Sequence, residues 1–230
     1  MAERSLRVLR GLDREQRAPD HFVLPPLRIR RAAPLLAAVD FAPYCAQLGL
    51  ALPGSALMAP TLTPAVVVDA SPFETERILD ASRLLPAFVA ALLPRVRVHD
   101  LESHAPFDGE VEICLDRDWV RHDALDLLAI VLVHESGHVL FRLLCDPLRT
   151  DPELARKADF LGAWERACVQ DLGLATHYGQ RNAGEDIAES LVVYVLGLSS
   201  PQVAARIEKL MPNRLSLLRA WLDRLTTTTT

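Results

Sequence analysis

Residues 131–140 read VLVHESGHVL, an apolar run interrupted by His134, Glu135 and His138. Ionisable groups are costly to bury unless they are paired or bind a metal. His134 and His138 stand four residues apart. On a helix that spacing puts both imidazoles on one face, one turn from each other. Two neutral imidazoles so placed can converge on a single Zn²⁺. Glu135 then points to the side of the metal, where it can take a proton from a bound water acidified by zinc. This is the H-E-x-x-H pattern of zinc metalloproteases. The plainer reading is a chance match, two histidines hydrogen-bonded in a core. It leaves three ionisable groups in the middle of an apolar segment without a shared purpose. Gly137 would let a neighbouring backbone come close.

A catalytic zinc needs a third protein ligand. A histidine six residues after His138 would mark the metzincin layout, but that position is Leu144, and the glycine expected before it is Phe141. The third ligand therefore lies further along the chain, among the acidic residues or at His177. The best setting is AGEDIAESLVVYVLGL, residues 183–198. Glu185 and Glu189 are four apart and share a helix face that continues through Ala188, Val192 and Leu196. Two carboxylates on an apolar stripe should be neutral or engaged. As an exposed acidic edge they would repel one another. If Glu185 binds zinc, Glu189 one turn on can accept a hydrogen bond from a ligating imidazole and fix its orientation. Asp186 points elsewhere and reads as a first-turn charge favoured by the helix dipole.

These residues need elements to hold them. Residues 1–70 are rich in proline and read as short helices and turns in an extension docked on the main domain. Ser71-Pro72-Phe73-Glu74 is a helix start, and the helix runs through ERILDASRLLPAFVAALL with a kink near Pro86. RVRVHDLE (95–102) and EVEICLD (110–116) alternate as strands, with a turn signal at Asp108-Gly109 between them. The edge of EVEICLD could take an extended peptide by β-addition, or the strand could be an ordinary core strand. A long helix covers 123–144 and a polar-faced one 151–171. Residues 175–182 form a loop ended by Asn182 as N-cap. Helices follow at 183–198, from Pro201, and from Pro212 to about 225. Thr226–Thr230 is a low-complexity, disordered tail. The pattern is α+β: a mainly helical domain over 71–225 with a small sheet.

The bulk properties exclude several classes. A chain of 230 residues, half of them apolar, makes one domain, or one with an extension. A net charge of −5 argues against nucleic-acid binding. The four cysteines, Cys45, Cys114, Cys145 and Cys168, fit no CxxC pattern or compact disulfide framework and read as reduced thiols. The charged start MAERSLRVLRGLDREQRAPD has no signal-peptide core. The longest apolar stretch, 124–133, is too short to span a membrane. The expectation is a cytoplasmic protein as synthesised, with no membrane partner; export by another route stays open.

HESGH followed at a distance by YGQRNAGEDIAES resembles the catalytic domains of the anthrax lethal factor and Pro-Pro endopeptidase family. These are gluzincins, in which two histidines and a glutamate hold the zinc. A tyrosine precedes the glutamate ligand by seven residues and an acidic residue follows it by four, intervals that Tyr178, Glu185 and Glu189 reproduce. The final MPNRLSLLRAWLDRL is similar to the family's proline-started closing helix, and the likeness spans about 72–225. It implies a zincin-like fold with one Zn²⁺ per chain on His134, His138 and Glu185. It also implies Glu135 as general base, Glu189 behind the ligands, and Tyr178 as hydrogen-bond donor to the tetrahedral oxyanion. The activity implied is endopeptidase cleavage of a peptide or protein substrate. Two other readings remain: a cytosolic regulatory metallopeptidase that cuts one specific partner, and a non-enzymatic zinc-binding module. Structural zinc favours four ligands and cysteine, and neither motif contains a cysteine. Residues 1–70 could pack on the domain or act as a pro-region or lid, with Cys45 capping the zinc.

Overall fold

A computed structural model of the chain describes residues 66–93, 95–100, 112–145, 158–173, 175–176, 178–199 and 201–227. The proline-rich segment up to residue 65, with Cys45, lies outside them. So do the Asp108-Gly109 turn, residues 151–157, His177 and the last three threonines. The chain forms two units, and the described residues fall to them as 66–132 and 133–227.

In the first unit, strand β1 (Val66–Val68) leads into helix α1 (Pro72–Arg83). The sequence cue at Ser71 is realised as a reciprocal cap. The Glu74 amide donates to Ser71 Oγ at 3.3 Å, and the Ser71 amide donates to Glu74 Oε2 at 2.7 Å. Glu74 is fully buried. Arg117 Nη1 reaches its Oε2 at 2.7 Å and Arg121 Nε its Oε1 at 2.6 Å. Burial pushes this carboxyl's pKa up, but the Ser71 amide and the two guanidinium groups outweigh it and hold it at about 2. The kink expected near Pro86 is instead a break. Helix α1 ends at Arg83, and a short helix α2 (Ala87–Ala90) restarts after the proline. Proline lacks the N–H that would continue the ladder, and its ring crowds the preceding turn.

Strand β2 (Arg95–His99) lies between β1 and β3 (Ile113–Asp116), and both pairings are parallel. Val67 faces Val96 in one register, and Val98 faces Leu115 in the other. The alternation of RVRVH shows directly: Val96 and Val98 are fully buried, while Arg97 pairs with Glu112 at 3.0 Å. Strand β3 ends the three-strand order of the described sheet. Asp116 caps helix α3 (Arg117–His122) through the amides of Asp118 and Trp119.

Helix α4 (Leu125–Cys145) carries the HESGH stretch, and from Val133 onward it belongs to the second unit. That unit continues with α5 (Ala158–Gln170), a 3₁₀ turn at Tyr178–Gln180, α6 (Ala183–Ser199), α7 (Pro201–Leu210) and α8 (Pro212–Thr227). The last helix therefore takes in the first two threonines of the tail. Helix α6 is buried on nearly all sides from Ala183 to Leu196. It packs against α7, the 3₁₀ turn, α8 and α5, with Ile187, Leu191 and Val195 wholly inaccessible. A helix apolar all round is a core helix, so any polar group it carries must find its partner inside the protein. No described helix is long and apolar enough to cross a membrane.

Candidate metal centre

Helices α4 and α6 touch at their backbones. A Cβ placed on Gly137 would lie 2.4 Å from Ala188 Cα, a distance that no side chain tolerates. Gly137 lies between His134 and His138, and Ala188 between Glu185 and Glu189. The close approach therefore brings the two i,i+4 pairs face to face. Gly137→Ala is expected to push the helices apart and to weaken binding of a divalent metal such as Zn²⁺ by about tenfold, as disturbed ligand orientation does. Competition with a chelator measures this; wild-type affinity in the variant would show that the contact at Ala188 does not set the site.

Three ligand atoms converge. His138 Nε2 lies 3.0 Å from His134 Nε2, and Glu185 Oε2 lies 3.4 Å from each of them. Tetrahedral zinc with bonds of about 2.0–2.1 Å requires ligand–ligand edges of about 3.3–3.4 Å. The triangle is close to one face of such a tetrahedron. Glu185 Oε2 is shut off from solvent and makes no hydrogen bond, a costly state for a carboxylate oxygen unless a cation faces it. His134, His138 and Glu185 thus form a largely buried group able to hold a metal ion.

The surroundings orient these atoms. His134 Nδ1 lies 2.7 Å from Glu189 Oε1. A carboxylate only accepts, so Nδ1–H donates, and Nε2 is the nitrogen turned to the other ligands. Thr176 Oγ1 donates to the second oxygen of Glu189 at 2.7 Å. Burial pushes the His134 imidazole's pKa down, but Glu185 and Glu189 outweigh it and hold it well above its usual range. Burial likewise pushes Glu185 up, and the facing imidazoles of His134 and His138 pull it down to about 2. Both shifts have one meaning: the cage favours positive charge among its three atoms. A metal ion would take the place of the proton there.

The other candidate residues divide. Glu135 is half-buried in α4, between the buried His134 and Ser136. The Tyr178 ring lies 5.9 Å from that of His134, and the Arg181 guanidinium sits 4.4 Å above the tyrosine. Asn182 caps α6 as expected, its Oδ1 accepting the Glu185 amide at 3.0 Å. Asp186 stands in the first turn of α6 as expected, but as a partnered core group. It is fully buried and accepts from Arg214 Nη1 at 2.7 Å, Trp164 Nε1 at 2.9 Å and Cys168 Sγ at 3.2 Å. Neither Thr176 nor Arg214 stands out in the sequence. Thr176 carries no motif, and Arg214 is one of several arginines near the end of the chain, although in the last helix it is buried alongside Leu215, Leu218 and Leu222. Compared with protein-family models, curated proteins and solved structures, the chain matches none.

Proposed function

We propose that the chain is a zinc-dependent endopeptidase of the gluzincin type, with the zincin-like helical domain that its resemblance to the lethal factor and Pro-Pro endopeptidase family implies. One observation carries the reading: His134, His138 and Glu185 converge at 3.0–3.4 Å. A His₂Glu set with a fourth position left open is a catalytic zinc arrangement, whereas structural sites close with four ligands and favour cysteine. Among the described residues the group has three members and no cysteine. The His138 side chain is 18 % exposed while the other two are nearly shut off, which gives the cage one open side.

Bound there, Zn²⁺ supplies a Lewis acid for a peptide carbonyl and acidifies water. Glu135 takes the proton of the attacking water and passes it to the leaving amine. Tyr178 donates a hydrogen bond to the oxygen on which negative charge develops. Glu189 holds the His134 ring in the tautomer that turns Nε2 to the site. The test is direct. Purified protein is expected to contain one zinc per chain and to cleave members of an unbiased peptide library, with cleavage lost to chelator and restored by zinc. Protein that takes up no stoichiometric zinc overturns the proposal at its first step.

A further inference from the structure

We propose that Thr176 is a positioning residue whose single hydroxyl ties the metal ligand His134 to the turn carrying Tyr178. The inference rests on the reading of His134 as a zinc ligand. Thr176 is 3 % exposed and Glu189 2 %, so water is not at hand to replace a lost partner. The Glu189 carboxylate divides its oxygens: Oε1 accepts from His134 Nδ1 and Oε2 from Thr176 Oγ1, each at 2.7 Å. Rotating that carboxylate breaks both bonds together. Thr176 therefore fixes the plane of the carboxylate, and the carboxylate fixes the imidazole. The same hydroxyl accepts the Gly179 amide at 3.3 Å, inside the 3₁₀ turn Tyr178–Gln180. A hydroxyl has one proton to donate and lone pairs to accept with, and Thr176 uses each on a different element. Gly179 is held close to α6, where a Cβ on it would lie 3.2 Å from Asp186 Cα. The result is one continuous line, His134–Glu189–Thr176–Gly179, from ligand to tyrosine turn.

Thr176→Val keeps the shape and removes the hydroxyl; Thr176→Ser keeps the hydroxyl. Zinc affinity is measured by chelator competition, and amide exchange at Gly179 is followed with and without zinc. Thr176→Val is expected to weaken zinc binding about 10–100-fold, and Thr176→Ser to bind as wild type. Zinc is expected to slow exchange at Gly179 in wild type and Thr176→Ser but not in Thr176→Val, a response that a mere packing role would not produce. Wild-type affinity in Thr176→Val, or equal loss in Thr176→Ser, overturns the assignment. Should Thr176→Val fail to fold, the wild type decides: no zinc-dependent protection at Gly179 overturns it. Wild type that binds no zinc removes the zinc reading and this inference together. Wild type that binds while Thr176→Val loses nothing removes only the role of Thr176.

Discussion

On the proposed endopeptidase reading, Glu135→Ala is expected to bind zinc with wild-type affinity and to lose peptide hydrolysis by about 10²–10⁴-fold, the share a well-placed general base supplies. The two halves of this result come from different parts of the geometry. Metal retention follows because Glu135 is not among the three converging atoms; these belong to His134, His138 and Glu185. The cage stays closed without it, since Glu189 still holds His134 and Gly137 still lets α4 meet α6. Loss of turnover is what the proposed base role implies for Glu135, which is half-buried in α4 next to the ligand His134 and so still open to a water. Glu135→Gln keeps the shape and removes the charge, so equal loss in both variants assigns the effect to proton transfer. The measurements are zinc by chelator competition and kcat on a peptide drawn from the library. A variant that loses zinc along with activity would make Glu135 a ligand instead, and one that keeps activity would remove it from the reaction.

The parts of the site legible in the sequence share one property: each is a local relation along a single helix. The four-residue steps from His134 to His138 and from Glu185 to Glu189 state which side chains share a face. The apolar residues around them state that the face is buried. Gly137 even marks where a second backbone comes close. What could not be read is contact between elements far apart in the chain. Asp186 sits in the first turn of α6, where helix-dipole logic accounts for a charge without naming a partner, and the partner, Arg214, lies twenty-eight residues further on. Thr176 is one hydroxyl in a loop, and its meaning depends on Glu189 turning an oxygen toward it. The sheet shows the same limit. Alternation in RVRVH and ICLD gives strands with a covered face, but strand direction depends on the connection between them, and β2 and β3 run parallel.

Arg214→Met is expected to destabilise the protein by about 3–5 kcal/mol, the usual effect of breaking a buried ion pair from one side. The Arg214 side chain is fully buried between two buried carboxylates: Asp171, with Oδ2 3.0 Å from Nε, and Asp186, with Oδ1 2.7 Å from Nη1. Its remaining nitrogen donates to the Gly173 carbonyl. Burial already pushes the Asp186 carboxyl above its usual range, against the pull of Arg214. Methionine fills much of the volume but leaves two carboxylates in the core without a cation. Arg214→Lys should recover little, because a single ammonium cannot reproduce the fork that spans both acids and a carbonyl. Chemical denaturation gives the loss as a lower midpoint at unchanged slope. Adding Asp186→Asn to Arg214→Met should restore part of it, since the double variant no longer buries that unpaired charge. A loss under about 1 kcal/mol would mean that the network is dispensable. The consequence reaches the candidate metal site because Asp186 follows Glu185 in the first turn of α6, which is pinned by Asn182 from one side and Arg214 from the other. On the proposed reading zinc binds the folded arrangement, so saturating zinc should return stability to Arg214→Met in proportion to the logarithm of its concentration over Kd. That gain should be smaller than in wild type, because with the Arg214 pin removed, part of the binding energy goes into re-seating Glu185.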